Sequence, residues 1–355
     1  MAIIVNNIPI GLDISDEALR YVKIKRQGRK NIIAAADEIR LPEGIVADGE
    51  IKDQNKFLGK INELFSNSRC GAVKNCPIIS VLPEKKTFIK LIKMEAPPPE
   101  KLRDQLAKEI TRHIPFDIDD INFDWQVIGR YEAGKQQQFL VGAAPQKLID
   151  DYLGILKSSK LMPYALEIEA VAIARALINE GLDLGPKIII DLGAIRTSLI
   201  LYDKKIIQFS VSLPVSGKQI TNKIADVLQI SFKDADKAKI ACGLDEKKCS
   251  GALKKVLDNT INNLVEKIEE SIDFYHNHFQ NKSEIKEIVL CGGGANLANL
   301  DKIILEKTNI PTIIGNPLIK IYSVNKSIKY SPEKFQSFIT AIGLALRAYQ
   351  NNFFI

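Results

Sequence analysis

The chain has 355 residues, 46% of them hydrophobic, and 49 Lys and Arg against 43 Asp and Glu give a formal charge of +6. That is enough apolar material for two domains with their own cores, and too mild a positive excess to argue for nucleic acid by itself. Met1–Ile10 lacks the basic start and long apolar stretch of a secretion signal, and no uncharged apolar run approaches the roughly 18 to 20 residues of a membrane helix, so a soluble intracellular protein is expected.

Residues 8–41 read as three strands. In Ile8–Lys25, IPIGLDISDEALRYVKIK, apolar residues run to Asp13, a short polar turn follows, and an alternating strand leaves. Lys23, Lys25, Arg26, Arg29 and Lys30 cluster around the turn at Gln27–Lys30. A solvated hairpin tip is the plain reading of that cluster, and contact with an anionic membrane surface is the sharper one. Asn55–Phe65 sets Phe57, Leu58, Ile61, Leu64 and Phe65 on one helical stripe, which is core, and Pro77–Leu82 is a further strand. At Glu95–Pro99, EAPPP, three consecutive prolines exclude a helix interior or central strand and mark entry into a domain. Beyond them Glu100–Ile114 is helical with Leu102, Leu106, Ile110 and His113 along one side. Ile121–Tyr131 and Gln138–Ala144 are strands and Pro145–Ser158 is a helix, which makes a small α, β, β, α insert.

The second half repeats the grammar of the first. Lys187–Leu201, KIIIDLGAIRTSLIL, is a hairpin with Asp191 at its mouth and Gly193 in its turn, and Asp13 and Asp191 lie about half the chain apart, as in an internal duplication. Two such hairpins facing each other can hold a polyphosphate, the turn amides on its oxygens and the two aspartates on a magnesium ion. Ile288–Leu297, IVLCGGGANL, adds a strand that ends in Gly292, Gly293 and Gly294, where backbone can approach a ligand closely. Lys233–Gly243 is by itself an exposed charged helix, and Asn259–Lys282 is a long amphipathic one. The cysteines at 70, 76, 242, 249 and 291 form no C-x-x-C pair, so reduced thiols are expected, and no metal or base role is expected for His113, His276 or His278.

This order of motifs resembles the nucleotide-binding core shared by actin, the heat-shock 70 chaperones, sugar kinases and bacterial filament proteins. The resemblance implies an α/β fold of two actin-like (ribonuclease H-like) lobes around ATP and magnesium. In it the Asp13 hairpin is phosphate 1, the Asp191 hairpin phosphate 2, and the glycine triplet the adenosine motif. Asp13, Ser15, Asp191, Gly193, Ala194, Thr197, Gly292, Gly293 and Gly294 then hold the cofactor, with Asp13 and Asp191 on the metal. Leu213–Leu228 resembles the segment in which Gly217 is followed by Ile220 and Thr221, and Lys233–Gly243 resembles the A-E-x-x-K helix, which puts Asp236 and Lys239 near ribose and adenine. Leu166–Leu177 resembles connect 1, whose polar residue, here Glu169, positions the attacking water, and AIGLALRAY within Ser331–Tyr349 resembles connect 2.

The insert narrows the resemblance to FtsA and the PilM family of type IV pilus proteins. Glu109 followed by Ile114, Pro115 and Phe116, then Phe123, Asp124 and Trp125, then Leu140–Ala144 and Leu161–Ala172, is similar to PilM. FtsA usually ends in an amphipathic helix behind a linker, whereas here Phe354 and Ile355 follow the last core helix directly. The lobes then divide as a first core of 1–96, completed by 161–186 and 331–355; an insert of 97–160; a second core of 187–212 and 285–330; and its accessory part, 213–284. The resemblance implies a cytoplasmic protein, held at the inner membrane only through a partner, that captures the N-terminal peptide of a PilN-like membrane protein between insert and first lobe. A PilO-containing platform, the pilus motor ATPase and a second copy of the chain are further expected partners, and nucleic acid is not. Phosphate 1 departs from the family in carrying Ser15, Asp16 and Glu17 where a glycine and small hydroxyl residues are usual, so ATP binding with slow or no hydrolysis is expected. The alternatives are a small-molecule kinase with Glu169 as base and an FtsA-like filament protein.

Overall fold

The computed structural model describes residues 8–66, 77–95, 97–113, 117–131, 136–179, 185–279 and 283–349. The expectations placed on Ile114, Pro115, Phe116, Phe354, Ile355, Cys70 and Cys76 lie outside the described residues.

The chain opens with a meander, β1 (Ile10–Ile14), β2 (Ala18–Gln27) and β3 (Lys30–Arg40). A short pair, β4 (Val46–Ala47) and β5 (Glu50–Ile51), leads to α1 (Gln54–Ser66) and then β6 (Pro77–Leu82). The insert region holds β7 (Phe88–Glu95), α2 (Leu102–Ile110), β8 (Ile121–Tyr131), β9 (Gln136–Pro145) and α3 (Gln146–Ser158). The strand β10 (Met162–Ile168) runs straight into α4 (Glu169–Leu177). A second meander follows, β11 (Lys187–Leu192), β12 (Thr197–Asp203) and β13 (Ile206–Leu213). Three helices come next, α5 (Gly217–Leu228), α6 (Phe232–Cys242) and α7 (Ala252–His278). The chain closes with β14 (Glu287–Cys291), α8 (Leu300–Thr308), β15 (Thr312–Ile314), β16 (Ser323–Val324) and α9 (Ile339–Arg347).

The duplication read from the two hairpins is carried through the topology. One sheet has the order β10-β6-β1-β2-β3-β16 and the other β13-β12-β11-β14-β15. Each is an antiparallel meander whose first strand also pairs in parallel with a later strand, β1 with β6 and β11 with β14. Such central strands are covered on both faces, which is why β1 is buried throughout and Ile188, Ile189 and Ile190 run without alternation. The helices α4 and α9 lie between the sheets. Their Ala170, Ile173, Ala341, Ile342 and Ala345 share one core with Val22 and Ile24 of the first sheet and Ile189 and Ile200 of the second. Small residues let these helices close up on their neighbours. A Cβ at Gly343 would collide with the Ala172 carbonyl oxygen, and one at Gly11 with that of Ala341.

Two boundaries differ from the sequence expectation. FIKLIKME, ahead of the prolines, is the strand β7, and it pairs with β9 over Phe88–Glu95 to make a three-stranded sheet β7-β9-β8. This sheet buries Ile92, Phe139 and Val141 against Leu106 and Ile110 of α2. At the other end α3 turns away, and its Leu148, Tyr152, Ile155 and Leu156 join the core formed by β1, β2 and α1. The expectation of reduced thiols is corrected at Cys242 and Cys249, which are joined as a disulfide with a Cα separation of 6.0 Å. The chain turns back at Gly243, whose φ of +54° ends α6, and so returns Cys249 to the helix end.

Candidate functional site

The two hairpin mouths and the glycine turn after β14 meet in a cavity of about 130 Å³. It is lined by Asp13, Ser15, Asp16, Glu17 and Arg20 from the first hairpin, and by Asp191, Gly193, Ala194 and Arg196 from the second. Glu169, Gly292, Gly293 and, from the segment ending in α9, Gln336 and Thr340 complete it. The sequence expectation thus places seven of its cofactor residues in one cavity, together with Glu169. Gly294, Thr197, Gly217, Asp236 and Lys239 lie outside the lining. Gly217 N–H donates to the Gly193 carbonyl at 3.0 Å and Lys218 N–H to that of Ala194 at 2.8 Å, which ties the start of α5 to the second turn. Lys239 bridges Asp236 at 2.8 Å and Thr221 Oγ1 at 2.6 Å. Thr197 is fully buried, its hydroxyl without a hydrogen-bond partner among the described residues.

Each glycine of the triplet does different work. Gly292 has φ +79°, and a Cβ there would strike Asp191 Oδ1, while a Cβ at Gly294 would come within 2.8 Å of the Leu192 side chain. These two pack the turn onto the Asp191 hairpin. At Gly293 a Cβ would meet no heavy atom within 4 Å, and the residue lines the cavity. Its free side is open for a ligand.

The electrostatics are those of an acid cluster short of cations. Burial first, and then the nearby Glu169 and Asp13, push the Asp191 carboxyl up to about 8. Burial raises Asp13 to about 6 against the pull of Arg20. Glu169 Oε2 is buried with no hydrogen bond among the described residues, and its nearest cation is Arg196 Nε at 3.9 Å. Glu84, in the turn after β6, is also buried and shifted upward by burial first. Among the described residues no group of three or more His, Cys, Asp or Glu is placed to hold a metal ion; Asp13 and Asp191 line the cavity together, and a divalent cation beside them would favour their charged forms.

Two features of the first hairpin were hidden in the sequence. Arg20 stands opposite Asp13 in the β1–β2 register, and its Nη1 donates to Asp13 Oδ2 at 3.4 Å while Nε donates to Glu38 at 3.2 Å. Counting residues across the tight turn at Ser15–Glu17 would have found this pair. Asp16 and Glu17 both line the cavity; the Asp16 carboxylate accepts the Gly49 N–H at 2.9 Å, and Glu17 is exposed. Ser15 closes the turn through bonds with Ala18 at 2.9 and 3.2 Å.

A second, larger cavity of about 430 Å³ runs between the β7-β9-β8 sheet and the β10–α4 segment. Its walls include Phe123, Leu140, Ala144, Leu166 and Val171, and its polar groups include Arg103, Asp124, Glu167 and Arg347. Arg103 stacks its guanidinium 4.6 Å from the Phe123 ring. Arg175 grips Glu167 with two bonds of 2.5 and 2.6 Å, and Arg347 Nη1 approaches the same carboxylate at 3.3 Å. Arg347 is 2% exposed, and its Nε has no hydrogen-bond partner among the described residues.

Two lobes of repeated topology around an acidic cavity, with paired hairpin turns and a glycine turn on it, define a protein of the actin-like fold. A family model described as type IV pilus assembly protein PilM matches residues 11–349, and the chain belongs to that family. Among solved structures it is similar to the PilM-PilN type IV pilus biogenesis complex, with 22% identity over 97% of this chain and 99% of that one and a TM-score of 0.81. The ethanolamine utilization protein EutJ from Carboxydothermus hydrogenoformans matches at 15% identity over 95% and 89% of the chains, TM-score 0.55. MreB5 of Spiroplasma citri bound to AMPPNP matches at 16% identity over 94% and 93%, TM-score 0.52. The family match sets aside the small-molecule kinase and FtsA-like readings. Among the described residues no helix is long and apolar enough to cross a membrane.

Proposed function

We propose that this PilM-family chain binds magnesium and ATP in the cavity between its lobes and the N-terminal peptide of a PilN-like membrane protein in the larger groove, so that each site reports on the other. The observation that carries the reading is that the two cavities share their framework. Glu167 lines the groove, and Glu169, two residues further along the same backbone, lines the smaller cavity. In the same way α9 offers Ile339 and Thr340 to one site and Arg347 to the other. A nucleotide that moves α4 or α9 by a fraction of an ångström alters both, because packed helices shift as units.

Asp13 and Asp191 would hold the magnesium, which supplies charge neutralisation for the phosphates. Gly193, Ala194 and Gly293 give backbone room beside them, and Gly217, Asp236 and Lys239 support the nucleoside side. Glu169 would orient a water, but Arg196 and Arg20 already engage this acid and Asp13, so turnover is slow or absent. The groove suits an extended peptide, with apolar side chains on its walls and Arg103, Asp124 and Arg347 among its polar lining. Deleting 97–160 would remove α3 from the first lobe's core, so point changes test the groove. A synthetic PilN-like peptide titrated by calorimetry should bind the intact protein and fail to bind Val171→Glu at unchanged helix content. Binding of equal strength to both would reject the groove, and retention of ATP by neither protein would reject the nucleotide reading.

A further inference from the structure

The β2–β3 hairpin projects a run of positive charge that neither cavity uses. From Tyr21 to Ala36 the sequence holds Lys23, Lys25, Arg26, Arg29 and Lys30 and no acid. The strand β16 lies along β3, pairing Ser323 with Ile32, and the segment around it, Asn316–Tyr330, brings Lys320, Lys326 and Lys329, again with no acid. Sheet pairing therefore joins two acid-free segments, distant in sequence, into one basic patch around the hairpin tip and sheet edge in a chain of only +6 overall. Lys25, Arg26, Arg29, Lys30, Lys326 and Lys329 are exposed, and among the described residues none of them is in an ion pair. Two large apolar side chains stand within this face, Ile319 at 49% and Tyr322 at 64% exposure, with Lys30 Nζ 3.8 Å from the Tyr322 ring.

We propose that this face rests on an anionic lipid surface. Uncompensated Lys and Arg beside an exposed aromatic and an exposed isoleucine fit lipid headgroups, which offer a plane of negative charge above an apolar layer. An acidic protein partner would use the charges but would leave Ile319 and Tyr322 without a role. The position of the face agrees, in an argument that rests on the peptide reading above. The helix α9 carries Arg347 into the groove, and Tyr349, two residues on, packs under Arg26 at 5.1 Å and donates to the Ile24 carbonyl at 2.9 Å. The basic tip thus adjoins one end of the groove, so that a membrane protein's tail held there would bring its bilayer against the tip. The expectation of membrane contact only through a partner is thereby extended to direct contact.

The test is cosedimentation of the intact protein, without peptide, with vesicles of phosphatidylethanolamine and phosphatidylglycerol and with vesicles of phosphatidylcholine. Binding to the anionic vesicles alone is expected, with a large loss at about 0.5 M salt, where screening acts within about 4 Å. Lys25→Glu, Arg29→Glu and Lys30→Glu combined should weaken it by roughly a hundredfold or more. The charge-matched reversal of Lys233, Lys247 and Lys255 to Glu on the other lobe should change it by less than about threefold. Circular dichroism and the peptide titration should be unchanged in both variants. Equal binding to both vesicle types, equal loss in both variants, or capture by polyglutamate without capture by anionic vesicles would overturn the proposal. Vesicle binding with a failed peptide titration would reject the groove reading and leave this one standing.

Discussion

Asp191 is the residue on which the small cavity's chemistry turns. Its carboxyl, raised to about 8 by burial and by Glu169 and Asp13, holds a proton at neutral pH when no cation is present. A magnesium–nucleotide complex must displace that proton, so binding at pH 7 should release up to about one proton per site. Calorimetry in two buffers of different ionisation enthalpy measures this, and an enthalpy that does not depend on the buffer would contradict it. The same shift has a consequence for stability. A folded pKa above the ordinary 3.8 means that the folded chain holds the extra proton, so the ligand-free protein should lose stability as pH rises from about 4 toward 8. Thermal denaturation across that range reads the slope. At the glycine turn, Gly293→Val should fold normally and lose ATP, because its Cβ meets only open cavity, whereas Gly292→Ala should destabilise the protein through its positive φ and the collision with Asp191. Nucleotide titration beside thermal melts separates the two, and a folded Gly293→Val that keeps its affinity would take this turn out of the site.

At the scale of elements, the shared seam is α4 against α9, tied by Glu167, Arg175 and Arg347. Glu167 is buried between two arginines, and Arg175 also donates to the Gly343 carbonyl at 3.1 Å. Glu167→Gln would take the buried carboxylate away from two buried guanidinium groups, and about 3 to 5 kcal/mol of stability should be lost in urea denaturation. A loss under about 1 kcal/mol would show that the helices hold together without the triad. None of this was legible in LEIEAVAIARAL, because a polar residue in an apolar helical run has no visible partner until a helix from the far end of the chain is laid against it. Local grammar was legible. The hairpins at Asp13 and Asp191, the strand before the glycine triplet and the amphipathic α7 follow from patterns within ten to thirty residues. What was hidden required register or long-range packing: Arg20 facing Asp13, β7 joining the insert's sheet ahead of the prolines, α3 returning to the first lobe, and Cys249 coming back to Cys242.

For the whole molecule, the proposed nucleotide and peptide sites are two faces of one pair of helices. Linkage requires that the coupling be reciprocal, each ligand changing the other's affinity by the same factor. The direct measurement is a calorimetric titration of the PilN-like peptide into the protein with and without magnesium and ATP, matched by ATP titrations with and without peptide. Peptide affinity should change at least about fivefold with nucleotide, which is the low end of usual coupling, and ATP affinity should change by the same factor with peptide. Affinities that stay within about twofold in both directions, with both ligands bound, would contradict it.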